Sequence, residues 1–289
     1  FKNCVKLKSL TITSKTKLTK VESMFYGCEK FEGSPCISEW DVSEVTSMKD
    51  MFRGCMVFDK DISRWIVGHV EDMSNMFHCC CTFQQDISDW DVSGVTDMSE
   101  LFYQKTTFND NINDWDVSNV TDMFRVFNFA ESFNQPLDKW DTSNVTSMQE
   151  MFARATVFNQ DINTQEITNS DGSSYLAWDV SNVIDMFYMF YDADAFDGNV
   201  TSWDVSNVTN MRSMFKSTGL YTPGSGTSLI DPLCNGCGGN FNQDISGWNT
   251  SNVKDMVYMF SHQRYFNQNL NSWDITSIDN DFCYNQRGF

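Results

Sequence analysis

No stretch of 18 or more uninterrupted apolar residues occurs in the 289 residues, so no segment is built to cross a bilayer as a helix. Basic residues are scarce: 20 Lys and Arg stand against 39 Asp and Glu, a formal net charge of -19, with no basic stripe. Such a chain repels phosphate backbones and anionic lipid surfaces. Nucleic acid is therefore excluded as an expected partner, while divalent cations, basic proteins and neutral glycans remain compatible. The histidines, His69, His78 and His262, are scattered, and a zinc site would need a second paired ligand motif. G-x-S-x-G, H-E-x-x-H, P-loop and Rossmann signatures are all missing. Carboxylates recur at fixed period instead of sitting in two contrasting environments, as an acid–base pair requires. The expectation is a protein that is not an enzyme and holds no organic cofactor. Phe1, Lys2, Asn3 and Cys4 show no charged-then-apolar signal pattern, and the last residues to Phe289 stop partway through a repeat. A mature product or a piece of a longer protein is expected on that basis.

Apolar residues make up 41% of the chain and aromatics 15%, enough for a core and too much for an intrinsically disordered segment. The nine tryptophans disclose how that core is organised: Trp40, Trp65, Trp90, Trp115, Trp140, Trp178, Trp203, Trp248 and Trp273. Four intervals of 25 residues are followed by 38, 25, 45 and 25, so the two long gaps read as insertions near 165–177 and 220–239. With Trp as position 1, the unit reads W-D-V-S-N-V-T-x-M-x-x-M-F, five variable residues, then F-N-x-D-I-x-x. Position 6 is Val from Val45 to Val253 and Ile278 in the last copy; position 13 is Phe from Phe52 to Phe260. Position 19 is Phe from Phe58 to Phe266.

Positions 1 and 3 alternate with polar positions 2 and 4, the period of a short half-buried strand. Positions 9, 12 and 13 are spaced as one face of a helical turn or two, with Thr and Asp at positions 7 and 8 as an N-cap. Asn or Asp near positions 20 and 22 suits a returning turn. One unit cannot bury its own Trp, Met and Phe, whereas stacked copies can. The expected architecture is therefore an α/β repeat: a solenoid of about nine 25-residue strand–turn–helix coils. At roughly 4.8 Å per strand its sheet would be about 40–45 Å long. Residues 1–39 fit the columns through Leu18, Val21, Met24, Phe25 and Phe31 but lack the Trp, and are expected to be a degenerate N-terminal cap on the solenoid of residues 40–289.

These residues also carry a resemblance. The string I-S-x-W-D-V-S-x-V-T-x-M, as in Ile87 to Met98, is similar to leucine-rich-repeat spacing. The full unit, from residue 40 to about 280, resembles the repeat of the BspA-like leucine-rich-repeat surface proteins. That resemblance implies a solenoid exposed at a cell surface and used in adhesion or protein interaction, and it carries over no catalytic residue.

Ten cysteines favour an oxidising compartment. Cys28, Cys55 and Cys80 share position 16, with Cys79 and Cys81 beside the last. An inter-coil bridge from Cys55 to one of 79–81, with Cys80 as the in-register partner, and a local Cys234–Cys237 bridge are expected. Sequons lie at Asn119, Asn144, Asn199, Asn207 and Asn249; four of the five belong to the repeat, where Asn also has a structural use at the end of the strand. Asp occupies position 2 in seven copies, including Asp91, Asp116 and Asp141. Hydrogen bonding to neighbouring hydroxyls and calcium bridging between coils are both open for that column, although calcium requires six to eight oxygens and no compact Asp-x-Asp-x-Asp-Gly loop is present.

Variation concentrates at positions 10, 11 and 14–18, so specific recognition is expected on that side, at the edges or at the insertions. The leading expectation is a non-enzymatic extracellular or cell-surface module for protein interaction or adhesion. It would bind other proteins or itself, or glycans, without inserting into membrane. The alternative is a structural subunit of an extracellular fibre, coat or appendage assembling through its faces or ends. Ice or mineral binding by the Thr column is disfavoured because Glu71, Ile184 and Lys254 interrupt it.

Overall fold

The computed structural model describes residues 1–11, 17–219 and 238–278. Each unit does form one coil stacked on the next, but the coil is made of turns. In the Trp90 coil, Asp91 Oδ1 accepts the Ser93 N–H at 3.1 Å, and Val95 N–H closes a turn onto Val92 O. Asp97 Oδ1 takes the Ser99 N–H at 2.8 Å. Asp86 does the same for Ser88 just before the Trp. Short side-chain acceptors at positions 2, 8 and 22 thus bend the backbone by the ordinary Asx-turn mechanism.

Residues at positions 9–16 run as consecutive tight turns. In the Trp90 coil, Met98, Glu100, Phe102 and Gln104 give their N–H groups to the carbonyls of Asp122, Phe124, Val126 and Asn128 in the following coil. The N–H groups between them, on Leu101, Tyr103 and Lys105, go back to Met98, Glu100 and Phe102. Every second amide therefore closes a turn within the coil, and every other one ties neighbouring coils together. Positions 11 and 15 adopt left-handed backbone in coil after coil, as at Glu100 (φ 56°), Gln104 (φ 56°), Arg125 (φ 56°) and Phe129 (φ 60°).

This corrects the strand–turn–helix expectation and the α/β class with it. Among the described residues there is no α-helix, only one 3-10 turn at Ile37–Glu39. Coils are linked by single-residue parallel bridges through position 8, running Ser47, Asp72, Asp97, Asp122, Ser147, Asp185, Asn210 and Asp255, in place of a continuous sheet. The apolar spacing at 9, 12 and 13 satisfies a chain of turns as well as a helix. Asp at position 8 spends its oxygen on an Asx turn, and the left-handed residues break any i to i−4 pattern.

Aromatic columns form the core. Phe of positions 13 and 19 pair within a coil at 3.9–4.5 Å between ring centroids. Position-13 rings of adjacent coils stack at 5.4–6.2 Å. Tryptophans stack behind them, for example Trp203 on Trp248 at 6.1 Å. Each indole N–H from Trp65 to Trp273 donates to a carbonyl of the preceding coil, such as Trp90 Nε1 to Ile62 O at 3.2 Å. A Trp therefore fixes register as well as filling space, because a misplaced ring would bury its donor unpaired. Phe25 and Phe31 extend the columns into residues 1–39.

The 165–177 insertion is an antiparallel hairpin, β1 (Gln165–Thr168) paired with β2 (Ser174–Ala177). Coil stacking passes beneath it undisturbed through the Ser147–Asp185 bridge. Most of the 220–239 insertion lies outside the described residues, as does the expected Cys234–Cys237 bridge. Asn210 and Asp255 nevertheless join the coils on either side.

Candidate functional site

The turn ribbon makes the variable columns into a surface. A left-handed residue at positions 11 and 15 reverses the chain twice, so positions 10, 11, 14 and 15 alternate with the buried 9, 12, 13 and 16. Polar and aromatic side chains from successive coils consequently meet. Arg125 contacts Glu150 through both Nε (2.8 Å) and Nη2 (2.9 Å), and reaches Glu100 at 3.4 Å. Its guanidinium lies 4.5 Å from the Phe124 ring and 5.7 Å from Tyr103. Arg154 stands 4.6 Å from Phe129 and 5.6 Å from Tyr191, with Asp192 at 3.4 Å. Lys216 continues the series between Tyr191 and Tyr258. Tyr103, Arg125, Phe129, Glu150, Arg154 and Tyr188 border a shallow cavity of about 280 Å³.

The electrostatics follow from those contacts. The His78 hydrogen bond at 2.9 Å, helped by the charge of Arg125, holds the Glu100 carboxyl below its ordinary value. The Glu150 hydrogen bond raises Arg125. Burial pushes the Tyr103 and Tyr191 phenols up. Arg125 and Arg154 are paired with carboxylates and held over rings. Rigid aromatic and Arg side chains of this kind supply contact area at small entropic cost.

Other expected site residues fall elsewhere. Asp91, Asp116 and Asp141 lie outside the turn face, on the regular columns, where each Oδ1 accepts the N–H of Ser93, Ser118 or Ser143. Among the described residues no group of three or more His, Cys, Asp or Glu is placed to hold a metal ion. His69 contacts Ser43 O, His78 contacts Glu100, and His262 contacts Ser261, so the structure does not gather them.

The expected Cys55 bridge is not formed: Cys55 and Cys80 are free thiols, as are the five other described cysteines. Position 16 is buried, and the Cys55 and Cys80 thiols donate to the carbonyls of Phe25 and Cys55 one coil back. Three sequon residues, Asn119, Asn144 and Asn207, use Nδ2 to bind the Ser93, Ser118 and Ser181 carbonyls of the preceding coil. Asn199 and Asn249 use Oδ1 to accept the N–H two residues on, from Thr201 and Ser251.

The individual Arg, Glu and Tyr residues of the turn face were not singled out by sequence reasoning, although its columns were. A readable signal existed, since Arg, Tyr and Phe recur at positions 10, 11, 14 and 15 while Asp, Ser, Asn and Thr predominate at positions 2, 4, 5 and 7. A second missed residue is Lys105, wholly buried at position 16, where Cys55, Cys80, Ala130, Ala155 and Ala193 stand in other coils.

Stacked turn coils with a constant core and one variable face define a repeat protein. The chain belongs to the family described as "Mycoplasma protein of unknown function, DUF285", whose model matches residues 1–94, 79–176, 172–225 and 227–283. No curated protein and no solved structure matches it.

Proposed function

We propose that the chain is a non-enzymatic interaction module, with the turn face as the surface that contacts other proteins. The observation that carries this is the gathering of the variable columns, with their Arg and aromatic side chains, onto one face around Arg125 and Arg154. Residues that vary between coils while the core repeats are free to match a partner, and Arg and Tyr are the types that dominate binding energy in protein interfaces. Adhesion at a cell surface is the finer reading. It rests on the resemblance of the repeat columns to BspA-like surface proteins, because the unbridged cysteines lend an oxidising compartment no support.

A photo-crosslinking amino acid placed at Tyr188 on the turn face, and separately at Ser206 on the regular face, tests the proposal in cells that make the protein. Discrete protein adducts from the Tyr188 position and none from Ser206 are expected. Equal adducts from both, or none from either, refute the assignment of the turn face. Accessibility of an epitope-tagged chain to external protease on intact cells tests the surface placement, with complete protection as the refuting result.

A further inference from the structure

The hairpin creates a groove that lies apart from the turn face. β1, β2 and their turn fold back over the Trp115 and Trp140 coils, where the Tyr175 hydroxyl donates to Lys139 O at 2.6 Å and Gln165 Nε2 to Asp138 O at 3.0 Å. Ile167 and Tyr175, directly paired across the strands, pack on the core side, while Glu166 and Leu176 face out. Between hairpin and coils runs a groove of about 790 Å³.

Its charge is one-sided. Asp114, Asp116 and Asp141 line it, against the single cation Lys139, which is held by Asp114 at 2.6 Å. Burial raises the Tyr175 phenol first, and the negative charges of Asp141, Asp116 and Asp114, which line the same groove, raise it further. Asp116 and Asp141 each commit only Oδ1 to their own turns. Along the rim stand Thr168, Asn169 and Ser170 and the outer edge of β1, whose only strand partner among the described residues is β2. An aromatic wall, a polar strand edge and a carboxylate floor suit one kind of occupant.

We propose that this groove docks a short extended basic segment of a partner protein. The main chain of that segment lies along the hairpin rim, and a Lys or Arg reaches Asp116 and Asp141. The site goes beyond the turn face and fails or stands independently of it.

The probe is a fluorescein-labelled heptapeptide of alternating Lys and Val, compared with the same peptide carrying Gln for Lys, by fluorescence anisotropy on the full chain. Because the chain carries a net charge of -19, diffuse attraction must be separated from docking. D116N/D141N removes two charges from the groove while keeping both Asx-turn acceptors, and D61N/D86N removes two from equivalent turns elsewhere. Matching circular dichroism and melting curves establish that both variants fold. The expected result is Lys-peptide binding that weakens with salt, falls roughly tenfold in D116N/D141N, and changes less than about twofold in D61N/D86N. Tyr175→Ala weakens it as well. Equal loss in the two double variants, equal binding of the Gln peptide, binding of a neutral oligosaccharide in place of the peptide, or no binding at all overturns the proposal. Loss of binding on a turn-face substitution such as Tyr188→Ala, with D116N/D141N unaffected, also overturns it.

Discussion

At Gln104, replacing the side chain by Gly or by Ala discriminates a turn ribbon from a helix by the sign of one difference. Gln104 has φ 56°, and its side-chain Oε1 accepts a hydrogen bond from Cys79 Sγ at 2.8 Å. Both substitutions remove that contact equally, so their difference isolates the backbone. Holding an L-residue in the left-handed region costs about 1–2 kcal/mol. Part of this is offset by the roughly 0.5–1 kcal/mol of extra freedom that Gly loses on folding. The variant with Gly is therefore expected to be more stable than that with Ala by about 1 kcal/mol. In a helix the order reverses, with Ala favoured by roughly 0.8–1 kcal/mol. The two architectures thus differ by about 2 kcal/mol at one site. Urea denaturation followed by tryptophan fluorescence reads the difference. With a slope of about 2–3 kcal/mol per M, Gly places the midpoint about 0.3–0.5 M above Ala. Ser99, which lies outside the left-handed region, should show Ala above Gly. Ala above Gly at Gln104 would falsify the turn ribbon.

Lys105→Met should stabilise the fold by about 1–2 kcal/mol, since a buried ammonium among Phe rings is replaced by an isosteric apolar chain. Burial depresses the Lys105 pKa, so its penalty is full at low pH and vanishes as pH rises toward the ordinary 10.5. The gap in melting temperature between variant and parent should close along that range, and a destabilised variant refutes the reading. Iodoacetamide at pH 8 should label exposed Cys4 rapidly and Cys55 and Cys80 only on unfolding, because burial raises both thiols. Cys79 is pushed up to about 11 by burial and should react at an intermediate rate. Raised thiol values also mean that stability declines once pH climbs above the ordinary 9.0, as the unfolded chain ionises first. Asn144→Ala should cost about 1 kcal/mol by removing the 2.7 Å bond from Nδ2 to Ser118 O, and an unchanged melting temperature would show that bond to be idle.

Much of this was legible along the chain. Trp40, Trp65 and Trp90 announce the coil because a stack of identical rings needs identical spacing, and the Phe52 and Phe58 columns follow for the same reason. The gap before Trp178 announced an insertion, and the hairpin occupies it. The helix was misread because Met98, Leu101 and Phe102 satisfy both a helical face and successive turns. Propensity gives no warning that Glu100 and Gln104 adopt left-handed backbone, since neither is Gly or Asn. Only the coil above, whose carbonyls accept alternate amides, makes that conformation worthwhile.

The sequence by itself determined the period, the aromatic columns and which positions vary, since all three are one-dimensional patterns of burial. Tertiary structure decided the backbone path between the columns, the free state of Cys55 and Cys80, and the meeting of Arg125 with Glu150 and of Lys139 with Tyr175. Those pairs are 25 or more residues apart and become neighbours only when coils stack. A contact between coils depends on rise, register and turn geometry together, and no single repeat contains that information.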